Sequence, residues 1–312
     1  MLITGPPRSG TTFLTRSLGE QPTLRALIDD AVYERWSLYY YPTRTGLAAD
    51  LRRGAIEAED ARDCLMADLV SGDTLRGVAA SPHTAGYPRS SPPRRPDGTA
   101  DPRDARLDRR DIPLAEIPWG TRFILKSPEL SFVMPAMADA LPGVRWIAVV
   151  RPLEEIAESM YRKGNSVQRP VFHRRWASER DAEGRPAPFP GIPDAWADRW
   201  RSGAPADWCA LAAAAYVRAL ADTLPGLPAG TWHLHDHARL RREPSSTLGA
   251  LAAFLGIAEP PLAWVALSIK AGVPQPPPEI VEACRRVRSD PQTGEAFDRL
   301  ETLSRKALEG SA

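Results

Sequence analysis

The sequence predicts an α/β protein: a mostly parallel sheet flanked by helices, carrying two Pro- and Arg-rich insertions. Three features point there. Residues 1–4 form a short apolar run that feeds a glycine turn and then a segment of helical period. Residues 144–150, Val-Arg-Trp-Ile-Ala-Val-Val, end in the continuous apolar run of a strand buried on both faces. A helix follows each of these runs after a short turn, which is the alternation of parallel sheets.

Taken in order, residues 1–4 read as a strand and residues 10–20 as a helix, with Phe13, Leu14 and Leu18 on one side. A second helix is expected over 55–70. Residues 79–118 change texture, with Ser91-Pro92-Pro93, Pro96-Asp97-Gly98 and a charged run from Asp101 to Asp111, and read as a long loop or partly ordered insertion. Residues 122–125 read as a strand and 131–141 as a helix, although Pro135 falls inside it. After the 144–150 strand, a helix runs over 153–163, starting behind Pro152 and stopping at Gly164. Residues 165–206 form the second insertion, a lid or acceptor-side element. Trp119, Trp176, Trp196 and Trp200 could wall an apolar site there or pack the insertions onto the core. Helices are expected at 208–224 and 245–255, a strand at 231–234, and a polar helix at the end. All 312 residues are expected to form one domain, elaborated at 79–118 and 165–206.

Composition narrows the function. Forty basic residues balance 39 acidic ones, so no basic excess calls for nucleic acid. Cys64, Cys209 and Cys284 form no CxxC pair, and neither a disulfide framework nor a zinc cluster is expected. The chain opens without a basic and then apolar leader, and no apolar run reaches the roughly 20 residues of a membrane span. A cytoplasmic location without a membrane partner is the expectation.

The segment Gly5-Pro6-Pro7-Arg8-Ser9-Gly10-Thr11-Thr12 sits between the first strand and helix. A glycine turn there converges backbone N–H groups, and the first helical turn adds unpaired donors and a positive dipole end. Ser9, Thr11 and Thr12 add hydroxyls and Arg8 a forked cation, which together suit a phosphate or phosphosulfate. A nucleotide triphosphatase would carry lysine where Thr11 stands. It would often carry a Mg-binding aspartate where Arg151 follows the 144–150 strand. Arg151 stands at the carboxyl edge of that strand, where ligands bind in open α/β sheets, and Ser159 follows two helical turns on.

On these two motifs the sequence resembles the PAPS-dependent sulfotransferase superfamily, where PAPS is 3′-phosphoadenosine-5′-phosphosulfate. It is closer to the bacterial and protein-tyrosine branches than to the cytosolic arylsulfotransferases. The glycine turn through Thr12-Phe13-Leu14 resembles the family's 5′-phosphosulfate loop. Val149-Val150-Arg151-Pro152 with Ser159 resembles its 3′-phosphate motif, and Phe254-Leu255-Gly256 its late helix end. The resemblance implies a P-loop-type fold that binds PAPS through Arg8, Ser9, Gly10, Thr11, Thr12, Phe13, Arg151 and Ser159. It implies release of 3′,5′-adenosine bisphosphate without a metal. Two departures stand out. Pro128 occupies the place of the arylsulfotransferase catalytic histidine, and the late Arg-Lys-Gly loop is reduced to Lys270-Ala271-Gly272.

Sulfuryl transfer needs a cation beside the bridging oxygen as charge grows there. Lys126, at the end of a strand, is the first candidate and matches a lysine of the tyrosine-sulfating branch; Arg8 is the second. It also needs a base for a hydroxyl acceptor, and Asp29, Asp30 and Glu34 stand near the family's carboxylate position. His83, His173, His233, His235 and His237 are the other candidates. The last three would share one face of an extended segment, which also admits a metal site. The expected acceptor is a small hydroxylated molecule. The alternatives are a P-loop kinase using Mg-ATP and a nucleotide-binding protein of the same fold that lacks turnover.

Overall fold

The computed structural model describes residues 1–11, 14–15, 18, 23–27, 50–51, 54–79, 109–164, 180–189, 191–257 and 275–309. Its strands are β1 (Leu2–Thr4), β2 (Leu24–Leu27), β3 (Val70–Ser71), β4 (Thr74–Ala79), β5 (Arg109–Pro113), β6 (Arg122–Lys126), β7 (Trp146–Val150) and β8 (Trp232–Asp236). The helices are α1 (Ala58–Leu69), α2 (Met134–Ala140), α3 (Leu153–Gly164), α4 (Ala197–Ser202), α5 (Pro205–Thr223), α6 (His237–Arg242), α7 (Pro244–Leu255), α8 (Pro278–Arg288) and α9 (Pro291–Glu309). Residues 11, 14, 15 and 18 are also helical.

The sheet runs β3-β4-β2-β6-β1-β7-β8, with β5 paired to β4. The five strands from β2 to β8 are parallel, and β4 pairs antiparallel with β2, β3 and β5. This is the expected mostly parallel α/β sheet. β1 lies between β6 and β7, so the chain leaves it for one side of the sheet and later crosses to the other. Ligands bind at such a switch point in open α/β sheets.

Side chains alternate across the sheet with the strand period of two. Leu2, Leu125, Trp146, Ala148 and Leu234 enter one core with α3, α5, α8 and α9. Ile3, Ile124, Ile147 and Val149 enter a second with Leu14, Leu18, Leu251 and Leu255. Both faces are therefore covered, and β7 is apolar throughout. α7 ends where Gly256 adopts a left-handed φ of 59°, its N–H reaching back to the last turn.

Two expectations are corrected and two are refined. The 131–141 helix is split into a 3-10 turn at Pro128–Phe132 and α2. Pro135 thus sits in the first turn of α2, where its missing N–H removes no helical bond. Within the 79–118 segment, Arg109–Pro113 adds strand β5 to the antiparallel edge, an ordered part of the insertion, while 80–108 lie outside the described residues. In the 165–206 segment, the described tryptophans take the second of their two readings, packing rather than pocket wall. Trp196 and Trp200 are about 1% and 0% exposed and belong to the larger core. The Trp208 indole donates to the Trp200 carbonyl at 2.7 Å and stacks near its ring. These tryptophans therefore pack the insertion onto α5. Trp119 is fully exposed, and Trp176 lies outside the described residues. The terminal segment holds two helices, α8 and α9, where one was expected.

Strand β8 buries imidazoles. Burial pushes His233 down to about 4 and His235, with help from its neighbours' charge, to about 3; burial and two arginines push His237 to about 4. The unfolded chain titrates all three near 6.5 and so binds more protons than the folded one between about pH 6.5 and 4. Glu129 acts oppositely. Burial raises its carboxyl to about 7, so the folded state holds its proton as pH rises from about 4.5 to 7. Net uptake on unfolding is then about two protons near pH 5.5. Stability is expected to fall as pH drops from 6.5 to 4.5. Urea denaturation at pH 7.0, 6.0 and 5.0 checks it, and an unchanged or rising stability would contradict it.

Candidate active site

Because β6, β1, β7 and β8 run parallel, their carboxyl ends open on one edge of the sheet. The residues just past those ends are Ser127, Gly5, Arg151 and His237, so the two sequence motifs meet there by topology.

The glycine turn is built under tight constraint. Gly5 has a φ of 136°, and a Cβ placed on it would lie 2.2 Å from the Val149 carbonyl oxygen in β7. Only glycine brings the turn this close to the neighbouring strand. The Ser9 N–H donates to the Pro6 carbonyl at 3.1 Å, closing the turn. The Leu14 N–H donates to the Gly10 carbonyl at 3.0 Å, starting the helical ladder. Ser9 is fully buried, and its Oγ has no hydrogen-bond partner among the described residues. Arg8, with φ at 74°, is the one non-glycine residue of positive φ among them. Non-glycine residues held in that region cluster at functional sites. A Cβ on Gly10, at φ 105°, would meet the His237 ring at 2.9 Å, so this glycine lets α6 approach the turn.

The second motif closes on the first. Arg8 Nε donates to Ser159 Oγ at 3.1 Å, and Arg151 Nη1 reaches the Arg8 carbonyl at 3.4 Å. Arg151 Nε also donates to Glu155, one turn before Ser159 on α3. Arg241 of α6 grips the same carboxylate with two donors, at 2.9 and 2.5 Å. Burial pushes the Glu155 carboxyl up, but the hydrogen bonds and charges of Arg241 and Arg151 outweigh it and hold it below its ordinary value. It is therefore ionised at neutral pH.

Lys126 ends β6 half-buried, in register with Ile3 beside the turn. The next residues fold back under it. Ser127 Oγ donates to Glu129 Oε2 at 3.0 Å. Thr4 Oγ1, at the end of β1, donates to the Pro128 carbonyl at 3.1 Å and shares a 2.8 Å bond with Ser131 Oγ. Glu129 is fully buried; burial raises its carboxyl to about 7, opposed by its own N–H, Ser127, the charge of Lys126 and the Tyr216 hydroxyl. It forms an ionisable floor beneath the Lys126 turn.

The structure thus gathers Arg8, Ser9, Gly10, Thr11, Arg151, Ser159 and Lys126 at one sheet edge. Thr12, Phe13, Asp29, Asp30 and Glu34 lie outside the described residues. His233 and His235 lie in β8 and His237 opens α6, with the His233 ring stacked on Phe254 at 5.4 Å. No group of three metal-ligating side chains occurs among the described residues, and none of their helices is long and apolar enough to cross a membrane. Glu129, Glu155 and Arg241 were missed in the sequence. Glu155 was legible as the residue four from both Arg151 and Ser159, hence on their helical face. Arg241 sits in an arginine-rich run that reads as solvated surface.

No family model matches the chain, and no curated protein matches it. Among solved structures it is similar to a sulfotransferase from Alicyclobacillus acidocaldarius, at 16% identity and a TM-score of 0.48, over 99% of this chain and 97% of that one. It is similar to the sulfotransferase domain from the curacin biosynthetic pathway, at 12% identity and a TM-score of 0.45, over 96% of each chain. The sulfotransferase domain of the Synechococcus PCC 7002 olefin synthase is a third, at 13% identity and a TM-score of 0.43, over 97% of this chain and 93% of that one. At these values the likenesses carry no weight on function.

Proposed function

We propose that this chain is a sulfotransferase acting as one unit over residues 1–312, moving a sulfuryl group from PAPS to a hydroxyl of a small molecule. The observation that carries this is the junction of the two anion motifs through Arg8, whose backbone belongs to the glycine turn and whose side chain reaches Ser159. A ligand with anionic groups at two places matches that arrangement.

The residues fit such a donor. Ser9 Oγ is buried without a hydrogen-bond partner among the described residues, and the glycines at 5 and 10 let the turn press against β7 and the His237 ring, where a Cβ would clash. Arg8, Ser9, Gly10, Thr11 and, by sequence, Thr12 would hold the 5′-phosphosulfate, with Phe13 beside the nucleotide. Arg151 and Ser159 would hold the 3′-phosphate. The donor supplies an activated sulfuryl group whose leaving oxygen gains negative charge as the S–O bond breaks. Lys126 offsets that charge from the end of β6, and Arg8 adds a second cation. By sequence, one of Asp29, Asp30 and Glu34 takes the acceptor proton, the role of a positioned general base. The cytoplasm, as the sequence reading has it, supplies both substrates.

The test is incubation with PAPS and a library of phenols and alcohols, read by release of 3′,5′-adenosine bisphosphate. Acceptor-dependent release is expected. Mg²⁺-dependent consumption of ATP by the same preparation, with no release from PAPS, would assign the site to a kinase instead.

A further inference from the structure

We propose that Glu129 is a positioning residue for Lys126: its carboxylate, held on Ser127 and buried beneath the end of β6, keeps the Lys126 ammonium at the sheet edge where the leaving oxygen gains charge. This rests on the PAPS reading above and adds a residue that neither sequence motif contains.

Placement is the first argument. Lys126 is the last residue of β6, and the 3-10 turn that holds Glu129 begins two residues later. Ser127 Oγ donates to Glu129 Oε2 at 3.0 Å, so the carboxylate is tied to the residue next to Lys126. The turn is fixed from β1 as well. Thr4 Oγ1 holds the Pro128 carbonyl before Glu129 and shares a bond with Ser131 Oγ after it. Glu129 is fully buried, and its Oε1 has no partner at hydrogen-bond distance among the described residues. The elements packed against the turn are β1, α2 and α5. β1 meets it with Thr4, α2 carries the buried Met134 and Met137, and α5 brings the Tyr216 hydroxyl, which steadies the ionised carboxylate. Asp139 of α2 is exposed. Lys126 is the charged group acting on Glu129 among these neighbours.

Charge is the second. A bond to Ser127 needs only an acceptor, which a glutamine supplies as well as a glutamate. What glutamate adds is a charge, and burial opposes that charge, raising the carboxyl from 4.5 to about 7. The attraction of Lys126 works the other way, and the attraction is mutual: a carboxylate beneath an ammonium favours its charged form and gives it one preferred place. An ammonium held so is a preorganised charge, which needs no rearrangement as the S–O bond breaks. Because Glu129 is part-ionised near neutral pH, the hold on Lys126 strengthens as pH rises through 7. His237, at about 4, does not titrate there. The Met1 amine, pulled down to about 6, lies at the opposite end of β1, donating to the Phe123 carbonyl.

Glu129→Gln removes the charge and keeps the shape. Release of 3′,5′-adenosine bisphosphate from PAPS, with the best acceptor of the library, is followed from about pH 5.5 to 8.5. Calorimetry with the bisphosphate is run on the same preparations. Wild-type turnover is expected to rise about 10-fold over a limb near pH 7, and Glu129→Gln to lose that limb, running about 10-fold lower at the alkaline end while bisphosphate affinity changes less than about 3-fold. Ser127→Ala removes a bond that favours the ionised carboxylate, so it should move the limb to higher pH. In a Lys126→Ala protein, adding Glu129→Gln should change turnover less than about 2-fold, because Glu129 acts through the ammonium. A purely structural role predicts an additive loss of one size at every pH. Glutamine leaves no charge to bury. Above pH 7, where the wild type loses the stability that protonated Glu129 contributes, Glu129→Gln should therefore resist urea better. Wild-type turnover in Glu129→Gln at the alkaline end, or a pH-independent loss that adds to that of Lys126→Ala, would overturn the inference while the bisphosphate still binds and the donor reading stands. A wild-type protein that binds no bisphosphate, or releases none from PAPS, would sink the donor reading and this inference with it.

Discussion

Gly5→Ala is expected to destabilise the protein by about 3 kcal/mol or more and to abolish binding at the glycine turn. Two costs add. The backbone φ of 136° lies where L side chains rarely go, and the new methyl would sit 2.2 Å from the Val149 oxygen and 3.1 Å from its carbonyl carbon. That oxygen belongs to central strand β7, between β1 and β8, so it cannot retreat without breaking the sheet. The turn must move instead, and Arg8 and Ser9 move with it. Gly143 separates the two costs: its φ is 81°, but a Cβ there meets nothing within 4 Å. Gly143→Ala should therefore cost only the conformational strain, about 1 kcal/mol. Urea denaturation of both variants checks the contrast. A Gly5→Ala protein no less stable than Gly143→Ala would show that the turn does not press on β7.

Lys126→Ala is expected to lower turnover by about 10²- to 10³-fold while bisphosphate affinity changes by less than about 3-fold. Lys126 follows Leu125 at the carboxyl end of β6, immediately beside the turn of β1. In the proposed transfer, a cation there would act on charge that develops only as the S–O bond breaks, and so would favour the transition state over the bound donor. Thr4 and Ser131 fix the segment after it, so the charge is held in place before the reaction. Steady-state turnover and calorimetry are read on the same preparation. A loss confined to affinity would make Lys126 a binding residue and leave the leaving oxygen to Arg8.

What the sequence revealed follows from what kind of signal each element carries. β7 and α3 were readable because Trp146–Val150 is apolar on both faces and α3 is bounded by Pro152 and Gly164. The pairing of Arg8 with Arg151 was readable because both follow strands, and parallel strands end on one edge. β4 and β5 were hidden. β4 is only six residues with a glycine inside, and β5 is Arg-Arg-Asp-Ile-Pro at the border of a proline-rich stretch. Such antiparallel strands gain their pairing from tertiary context rather than from composition. Glu129 was hidden for a related reason. A carboxylate after Ser-Pro reads as solvated, and only the packing of the Pro128–Phe132 turn against α5 buries it. Trp196 and Trp200 were read as two-sided, and burial against α5 decided for the core. Asp29, Asp30 and Glu34 lie outside the described residues, and the base rests on the sequence reading.

The most direct test of a two-anion donor site is calorimetric titration of the wild-type protein with 3′,5′-adenosine bisphosphate, once with Mg²⁺ and once with EDTA. A site that draws its positive charge from Arg8, Arg151 and Lys126 should bind with a dissociation constant of about micromolar order, unchanged by EDTA. Absence of heat at millimolar ligand, or binding that appears only with Mg²⁺, would contradict it.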